Sequence, residues 1–242
     1  MRALVISDIH ANLVALETVL HDAPAHDVVW CLGDLVGYGP NPNECVECVR
    51  GLPGLKCLVG NHDKAVLGEI PINTFNTDAR ASIGWTQHVT SPETLAYLRA
   101  LPEREYFGEF TLVHGSPRQP VWEYILDRYI AQENFSFIRT RYCLVGHTHL
   151  PVIYQEIGPG ECREEFPDYF QSRRLNSERM ILNPGSVGQP RDSNPDASYA
   201  LLDTKTSTWE YRRVPYDIAA TQSRMRAAYL PERLIVRLAH GW

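Results

Sequence analysis

This sequence of 242 residues lacks long apolar segments. The apolar run near the N-terminus, from Ala3 to Ile6, is too short for a signal peptide. No later stretch approaches the roughly 20 apolar residues that a membrane-spanning helix needs. We therefore expect a cytoplasmic protein that has no membrane partner.

Clusters of basic residues are also missing. The chain has 23 Lys and Arg residues against 29 Asp and Glu, which gives a formal net charge of -6 at pH 7. Because affinity for a phosphate backbone needs clustered Lys and Arg, this balance argues against a stable nucleic-acid complex. An acidic balance suits a protein that collects divalent cations. The hydrophobic content of 44% is enough for a sizeable core.

The six cysteines form no complete metal-binding motif. Cys45 and Cys48 have the C-x-x-C spacing of zinc and redox sites, but no second pair accompanies them. Cys57 and Cys143 each lie in an apolar, strand-like run. In a cytosolic protein the alternative is a buried cysteine that acts as a small apolar side chain, and we favour it.

Repeats and low-complexity tracts are absent as well, so we predict one domain over residues 1–242. The polar segment 158–177 is typical of an insertion or a lid. A strand is predicted at 151–155 in a second sheet. The runs 199–203 and 208–213 predict an antiparallel pair that closes this second sheet.

What the sequence does contain is a series of apolar runs that end in glycine and a metal-ligating residue. The run from Val28 to Leu32 ends in Gly33 and Asp34. A short β-branched run closed by glycine predicts a buried strand, and loops after such strands hold ligands in α/β proteins. A carboxylate has two oxygens, so we predict that Asp34 bridges two metal ions.

The first predicted strand, 2–7, delivers Asp8 and His10 into the loop that follows it. Residues i and i+2 of an extended loop point to the same side, so this carboxylate and imidazole can converge on one cation. The alternative is that Asp8 caps the helix predicted at 12–20.

A third run, 55–59, ends in the tetrad Gly60-Asn61-His62-Asp63. Asn61 offers a neutral carbonyl oxygen to a metal ion, and His62 is a proton donor held beside it. Asp63 either orients His62 or caps the following helix.

Histidines follow two further runs. His114 comes after 110–113, and His147 and His149 come after 142–145. Five of the nine histidines follow an apolar run within a few residues, namely His10, His62, His114, His147 and His149. Together with the carboxylates and Asn61, these histidines supply nitrogen and oxygen ligands for two cations such as manganese, iron, zinc or nickel. Two such ions about 3.5 to 4 Å apart can stabilise the attacking and leaving oxygens of an in-line displacement at phosphorus.

Substrate contacts are predicted in the loops around these ligands. Arg118 has a planar guanidinium suited to a phosphate, and its alternative is a solvated surface charge. Tyr38 either contacts substrate or covers the adjacent core. Arg191 follows a Gly- and Pro-rich loop that is either structural or part of the site.

The series Asp8-x-His10, Gly33-Asp34, Gly60-Asn61-His62-Asp63, His114 and Gly146-His147-x-His149 resembles the calcineurin-like metallophosphoesterase superfamily, in its small bacterial or archaeal branch. The resemblance spans roughly residues 4 to 190. It implies a four-layer α/β/β/α sandwich of two mixed sheets flanked by helices, with a dinuclear metal centre at the strand ends.

The same resemblance assigns roles to single residues. The first ion would be held by Asp8, His10, Asp34 and His149. The second would be held by Asp34, Asn61, His114 and His147. A metal-bridging hydroxide would attack phosphorus, and His62 would stabilise the phosphoryl oxygens or protonate the leaving alkoxide.

One departure from the family bears on the substrate. The protein serine/threonine phosphatase branch has an Asp-Arg pair where this sequence has Gly37 and Tyr38. Asp63 could replace that acid, and Arg118 or Arg191 that arginine. We expect a phosphohydrolase acting on small phosphomonoesters or phosphodiesters, nucleotides included. The alternatives are a diadenosine-polyphosphate-type pyrophosphohydrolase, a protein phosphatase, a non-catalytic scaffold, and a metal-storage or metal-sensing protein.

Overall fold

The computed structural model describes residues 1–175 and 177–242. Within them, the strands β1 to β12 span Arg2–Ile6, Val28–Cys31, Lys56–Cys57, Arg104–Phe107, Phe110–Val113, Tyr142–Leu144, Val152–Gly158, Glu161–Glu165, Ser172–Arg174, Met180–Asn183, Ala197–Asp203 and Thr208–Val214. The helices α1 to α8 span Leu13–Asp22, Pro42–Arg50, Asn61–Val66, Thr77–Val89, Pro92–Ala100, Arg128–Phe135, Ile218–Ala227 and Glu232–Arg237. A single 3₁₀ turn covers Ile72–Thr74.

The strands form two six-stranded mixed sheets. The first sheet has the order β3-β2-β1-β11-β12-β9, and the second has the order β4-β5-β6-β10-β7-β8. In the first sheet β1, β2 and β3 are parallel neighbours. In the second, β5, β6 and β10 are parallel. Each sheet therefore has a set of carboxyl ends pointing the same way, where loops can converge.

The alternation of side chains along each strand shows which face of a sheet packs against the other sheet and which packs against helices. In β1, Ala3 and Val5 pack into the cluster between the two sheets, whereas Leu4 and Ile6 pack against helices on the other side. Successive side chains of a strand point to opposite faces, so a strand buried on both faces is apolar throughout. Burying each large apolar side chain contributes about 1.5–3 kcal/mol.

The second sheet repeats this arrangement. Tyr142 and Leu144 of β6 face the first sheet, while Cys143 faces the cluster that includes Phe135 of α6. Trp30 and Trp209 lie fully buried between the sheets. These contacts confirm the predicted α/β/β/α sandwich of two mixed sheets.

Local signals set the helix starts. The side chain of Asn12 accepts a hydrogen bond from the backbone N–H of Ala15 and caps α1. Asn12 therefore takes the capping role that the sequence left open for Asp8, which frees that carboxylate for the site. Pro42 and Pro92 occupy first-turn positions in α2 and α5, where the missing N–H costs nothing.

The sheet assignment of the last strand pair was wrong. β11 and β12 are antiparallel as predicted, but β11 pairs with β1 in the first sheet and not with the second. Sheet membership is decided by backbone pairing between distant segments, here of Arg2 with Asp203 through Val5 with Ala200, which the pattern of an antiparallel pair does not specify. The strand at 151–155 does belong to the second sheet, as β7.

The segment 158–177 supplies edge strands to both sheets. β8 pairs with β7 at the edge of the second sheet, and β9 pairs with β12 at the edge of the first. Residue 176 lies outside the described residues. The single-domain assignment and a lid role for this segment stay predictions. None of the helices in the described ranges is long and apolar enough to cross a bilayer.

Candidate metal centre

The loops after five parallel strands meet in one place. The backbone N–H of Asp8 donates to the carbonyl of Gly33 at 3.0 Å, which joins the loops after β1 and β2. The backbone N–H of His147, from the second sheet, donates to both oxygens of Asp8 at 3.2 and 3.0 Å. The two sheets therefore contribute to a single buried site.

The backbone at this site is left-handed at most of the predicted ligands. Five of the seven predicted ligands have positive φ angles of 48 to 66°, namely Asp8, His10, Asp34, His147 and His149. Such conformations cost about 1–3 kcal/mol each and cluster at functional sites, where the surroundings enforce them. Here the strain turns short side chains inward from the strand ends.

Glycine is required where the loops touch. A Cβ atom at Gly60 would overlap the Oδ1 atom and the backbone N of Asp34. A Cβ at Gly146 would overlap the hydroxyl of Ser7 and lie 2.9 Å from Asp8 Oδ2. The glycines beside the ligands therefore allow the loops of the two sheets to approach closely.

Each of four histidines has one ring nitrogen against a backbone carbonyl. The pairs are His10 Nδ1 with Val36 at 3.1 Å, His114 Nδ1 with Leu32 at 2.9 Å, His147 Nε2 with Trp122 at 3.1 Å and His149 Nδ1 with Gln189 at 2.6 Å. A carbonyl accepts only, so in each ring that nitrogen carries the proton. In a neutral imidazole the other nitrogen then has a free lone pair.

Those free nitrogens converge in pairs. The Nε2 atoms of His10 and His149 lie 3.1 Å apart, and His114 Nε2 lies 3.2 Å from His147 Nδ1. Two lone pairs at this distance repel unless a cation or a proton lies between them. Histidines held by a carbonyl on one side and open on the other are typical of metal ligands.

Asp34 lies between the two histidine pairs. Its Oδ1 accepts the backbone N–H of His62 at 2.9 Å. Its Oδ2 is buried without a hydrogen-bond partner among the described residues, 3.5 Å from His10 Nε2 and 3.4 Å from His114 Nε2. An orphaned carboxylate oxygen between two sets of donors fits a bridging ligand.

Two groups of ligand atoms could each hold a cation. In Asp8, His10 and His149, and likewise in Asp34, His114 and His147, the candidate atoms all lie within 4.8 Å of one another. Asn61 joins the second group, because its Oδ1 is 3.1 Å from His114 Nε2. A third group of His10, Asp34 and His62 overlaps both. No cysteine belongs to these groups in the described ranges, and all six thiols are free.

Burial sets the protonation of most of these groups. It lowers the pKa of His10, His147 and His149 well below the usual 6.5, so these rings are neutral. It also raises the pKa of Asp8 to about 6.

Asp34 and His114 form the exception. Burial opposes both charges, but the His114 charge holds the pKa of Asp34 well below its usual range. In turn, the Asp34 charge raises the pKa of His114 to about 9. One ion pair therefore lies at the centre of a set of neutral rings.

The imidazole of His62 lies beside these ligands and is surrounded by other aromatic rings. Its ring centroid is 4.3 Å from that of Tyr38, 4.9 Å from that of His10 and 5.1 Å from that of Phe75. Its Nδ1 is buried and has no partner in the described part of the chain. Burial lowers the pKa of His62 to about 4, so the imidazole is neutral at neutral pH.

Asp63 adopts the capping role of the two that the sequence allowed. Its carboxylate accepts backbone N–H groups from Gly60 at 2.9 Å, Asp34 at 3.0 Å and Val36 at 3.1 Å. No hydrogen bond among the described residues joins it to His62, so the geometry does not support an orienting role. Burial and the Asp34 charge raise the pKa of Asp63 to about 7, against the three N–H donors.

The two candidate arginines differ sharply. Arg191 donates to Gln189 Oε1 at 3.1 Å and to the Tyr38 hydroxyl at 3.4 Å, and its buried Nε has no hydrogen-bond partner. Within residues 1–175 and 177–242 it forms no ion pair with a carboxylate. Arg118 instead forms ion pairs with Glu123 and Glu133. The structure thus brings Arg191 to the metal ligands, whereas the guanidinium of Arg118 is already paired.

Sequence reasoning missed the segment that covers His147. The carbonyl of Trp122 contacts His147 Nε2, and the ring of Tyr124 stacks on His147 at 3.6 Å between centroids. The indole of Trp122 lies 5.3 Å from Phe75. Both aromatic side chains are more than a third exposed. A backbone contact and a stacked ring have no local motif, so only the tertiary structure identifies them.

The chain is similar in sequence to known proteins. The model of the calcineurin-like phosphoesterase superfamily domain matches residues 1–207. An uncharacterized protein of Methanocaldococcus jannaschii is 40% identical over 244 residues, which cover 98% of this chain and 97% of that protein. A symmetrical bis(5'-nucleosyl)-tetraphosphatase of Yersinia enterocolitica is 37% identical over 117 residues, which cover 47% of this chain and 40% of that protein.

A solved structure extends the similarity over the whole chain. The crystal structure of a metallophosphoesterase from Sphaerobacter thermophilus is 48% identical and superposes with a TM-score of 0.92, covering 100% of this chain and 99% of that one. The family match over residues 1–207, together with this superposition, establishes the relationship. The chain therefore belongs to the calcineurin-like phosphoesterase superfamily.

Proposed function

We propose that the protein is a metal-dependent phosphohydrolase that cleaves phosphomonoesters or phosphodiesters, nucleotides included, at a centre of two cations. One observation supports this most directly. Two histidine pairs turn ring nitrogens toward each other at 3.1 and 3.2 Å, and the unpartnered Oδ2 of Asp34 lies between them. Manganese, iron, zinc and nickel all accept this set of nitrogen and oxygen ligands.

The first cation would be held by Asp8, His10, Asp34 and His149, and the second by Asp34, Asn61, His114 and His147. The distances within the two groups support this division. Such a pair of ions supplies Lewis acidity and an activated water for in-line displacement at phosphorus.

Arg191 is proposed to bind the phosphoryl oxygens. Its guanidinium lies 5.8 Å from the Tyr38 ring, without a carboxylate to neutralise it in the described part of the chain. A planar fork with free N–H groups suits a phosphate. The ring of Tyr38 is tilted against that of His10 with 4.6 Å between centroids, so its hydroxyl would hold this guanidinium close to the ligands.

His62 is proposed to stabilise the phosphoryl oxygens rather than to protonate the leaving group. A general acid must carry its proton at the working pH, and the pKa of His62 is lowered to about 4. Nearby cations lower it further. A neutral imidazole still donates one N–H bond to a developing negative charge.

Hydrolysis of dinucleoside polyphosphates is a second candidate. It is favoured by the similarity to symmetrical bis(5'-nucleosyl)-tetraphosphatases, of whose length this chain matches about 40%. The partly exposed rings of Trp122 and Tyr124 at the rim of the site offer faces on which a nucleobase could stack. A cytoplasmic location and a small phosphorylated substrate complete the proposal.

The proposal is tested with metal-stripped protein. Manganese, nickel, zinc or magnesium is added back, and hydrolysis of p-nitrophenyl phosphate, bis-p-nitrophenyl phosphate and diadenosine tetraphosphate is measured. Turnover that depends on metal is expected, and the substrate ratio separates monoesterase, diesterase and pyrophosphohydrolase. Stoichiometric metal binding without turnover of any substrate would favour a scaffold or a metal-storage protein instead.

A further inference from the structure

The segment that covers His147 contains one well-anchored carboxylate. Trp122 and Tyr124 contact this imidazole, the first through its carbonyl at 3.1 Å from Nε2 and the second through a ring stacked at 3.6 Å between centroids. Glu123 lies between these two residues on the chain. Because each residue contributes only two soft backbone torsions, anchoring of Glu123 restricts where both of its neighbours can lie.

Within the described residues, Glu123 accepts hydrogen bonds from three side chains. Ser116 Oγ donates to Oε2 at 2.5 Å, and Asn134 Nδ2 donates to the same oxygen at 3.0 Å. Arg118 donates through Nε to both oxygens, at 3.1 and 3.2 Å, and through Nη2. Burial opposes the negative charge, but these hydrogen bonds lower the pKa of Glu123, so the carboxylate is ionised at neutral pH.

Two of the donors are buried and come from other parts of the fold. Ser116 and Asn134 are both fully buried. Ser116 lies two residues after His114, in the loop that follows β5, and Asn134 lies in α6. The carboxylate therefore joins this loop to α6. Both hydrogen bonds remain when Arg118 is removed, so the anchor does not depend on that arginine.

The backbone of the same segment closes around Gly115. The N–H of Gly115 donates to the carbonyl of Pro120 at 2.5 Å. A Cβ atom on Gly115 would lie 3.0 Å from the carbonyl oxygen of Glu123, so the two parts of the segment are in close contact. The result is a compact turn that begins beside His114 and ends against His147.

His114 and His147 are the two histidines proposed to hold the second ion. His114 Nε2 lies 3.2 Å from His147 Nδ1. The ring of His114 is fixed by the carbonyl of Leu32 at 2.9 Å, whereas the ring of His147 is fixed by the carbonyl of Trp122. Contacts of this kind orient metal ligands, and their loss typically weakens metal binding about 10–100-fold.

We propose that Glu123 is a positioning residue for His147. Its carboxylate holds Trp122 and Tyr124 against the imidazole, and Nδ1 is thereby directed at the second ion. This rests on the proposed function, in which His147 is a ligand of that ion. Glu123 would act through its neighbours, without touching the ion or the substrate, and it would leave the first ion unaffected.

The first measurement needs no metal. Nuclear magnetic resonance of metal-stripped protein records the ring protons of His147, which the stacked ring of Tyr124 shifts upfield. In Glu123→Ala these signals should move toward those of an unstacked imidazole, whereas the ring signals of His149 should stay in place. A carboxylate that served only to stabilise the fold would lower the melting temperature and leave the ring signals of the folded molecules unchanged.

The second measurement is a calorimetric titration of metal-stripped protein with manganese. We expect Glu123→Ala to weaken one of the two binding steps by about 10–100-fold and to leave the other within about twofold. The step that is lost in His147→Ala identifies the second ion site. The step weakened in Glu123→Ala should be the same one.

Two further variants separate the hydrogen bonds from the charge. Glu123→Gln can direct its amide oxygen toward Ser116 and Asn134, so it should keep most of the metal affinity and the ring shifts. Glu123→Asp keeps the charge but is one methylene shorter, so it should act in the same direction as Glu123→Ala, also where the latter does not fold. The control Glu133→Ala removes the other partner of Arg118, whose side chain is 64% exposed, and should behave as the wild type.

Three outcomes would overturn the proposal. These are unchanged His147 ring signals in the folded Glu123 variants, equal weakening of both metal-binding steps, and a loss of the same size in Glu133→Ala. A wild-type protein that binds no metal would overturn both the proposed function and the positioning role. If both binding steps respond as expected but no phosphate ester is hydrolysed, the positioning role stands and only the proposed reaction fails.

Discussion

His10 and His149 point their Nε2 atoms at each other across 3.1 Å, although the two residues come from loops of different sheets. Each ring donates its other N–H to a backbone carbonyl, that of Val36 for His10 and that of Gln189 for His149. With both lone pairs facing inward, the pair is stable only around a proton or a cation.

Asp34→Asn should remove the bridge between the two ion sites. An amide offers one neutral oxygen, so the two cations would lose their shared negative charge, and metal affinity should fall more than the 10–100-fold typical of outer-shell changes. Metal analysis after dialysis measures this. Asp203→Asn, at the end of β11 where the carboxylate accepts the backbone N–H of Lys205, is the control and should retain the wild-type metal content. Equal metal content in both variants would contradict the bridging role.

His62→Asn should lower turnover without metal loss. Removal of one positioned hydrogen-bond donor to a developing negative charge typically costs about 10²–10³ in rate. Because Nδ1 of His62 has no partner among the described residues, the folded protein should change little. The measurement is kcat with p-nitrophenyl phosphate beside metal content. Turnover equal to that of the wild type would exclude His62 from the reaction.

Arg191→Met and Arg118→Met should separate the two arginine candidates. Loss of charge-assisted hydrogen bonds to a phosphate costs about 1.5–3 kcal/mol, or roughly 10–150-fold in kcat/KM, and this is expected for Arg191 alone. Arg118 is already paired with Glu123 and Glu133. Kinetics with a monoester substrate distinguish the variants. A loss of kcat/KM in Arg118→Met and none in Arg191→Met would reverse our assignment.

Gly60→Ala should disrupt the site, because a Cβ there would overlap Asp34. The neighbouring loops must move to make room, and overpacking of this kind typically lowers the free energy of unfolding by about 1–3 kcal/mol. Metal binding should weaken as well, because the displaced loop carries Asp34. Gly84→Ala is the matched control. A Cβ at Gly84 meets nothing within 4 Å in α4, so this change should stabilise by about 0.5–1 kcal/mol. Thermal melting and metal content report both effects, and similar melting temperatures for the two variants would contradict the prediction.

Metal affinity should rise with pH. His114 must be neutral to bind a cation, but the Asp34 charge, acting against burial, raises its pKa to about 9. Metal binding at neutral pH should therefore release a proton, and affinity should increase until pH approaches about 9. Calorimetry in buffers of different ionisation enthalpy counts the protons. An affinity independent of pH over this interval would contradict the prediction.

In the metal-free protein the same ion pair makes stability fall as the pH rises, which is opposite to the pH dependence of metal affinity. The raised pKa of His114 contributes stability that is fully present below its ordinary pKa of 6.5. This contribution is lost as the pH rises through about 9. The melting temperature of metal-stripped protein, followed across this interval, provides the control for the binding measurement.

The predicted ligands could be found from sequence because each comes within a few residues after a short apolar run, and most of them lie near a glycine. A strand that ends at a known residue fixes where the next side chains emerge, so His114 and His147 converge as expected. The sequence did not decide whether Asp63 caps the following helix or orients His62, since the same residue at the same position can do either. Tertiary contacts alone show three backbone N–H groups on its carboxylate.

Other features depend on contacts between distant segments. Arg118 and Arg191 both follow glycine- and proline-rich loops, and only the position of Glu123 shows which guanidinium is already paired. The sheet membership of β11 was missed because two antiparallel strands carry no local signal for the sheet that they extend. The stacking of Tyr124 on His147 had no signal in its own segment.

The hydrogen bonds from the His147 backbone to Asp8 also bear on the order of folding. The ligands of each proposed ion come from both sheets, so neither sheet can assemble a complete ion site alone. During synthesis, metal uptake at the proposed ion sites would have to wait until His149 has been made and the two sheets have docked. Cation binding would then stabilise the sandwich only after both sheets have docked. Chains made without metal should remain susceptible to proteolysis between the sheets.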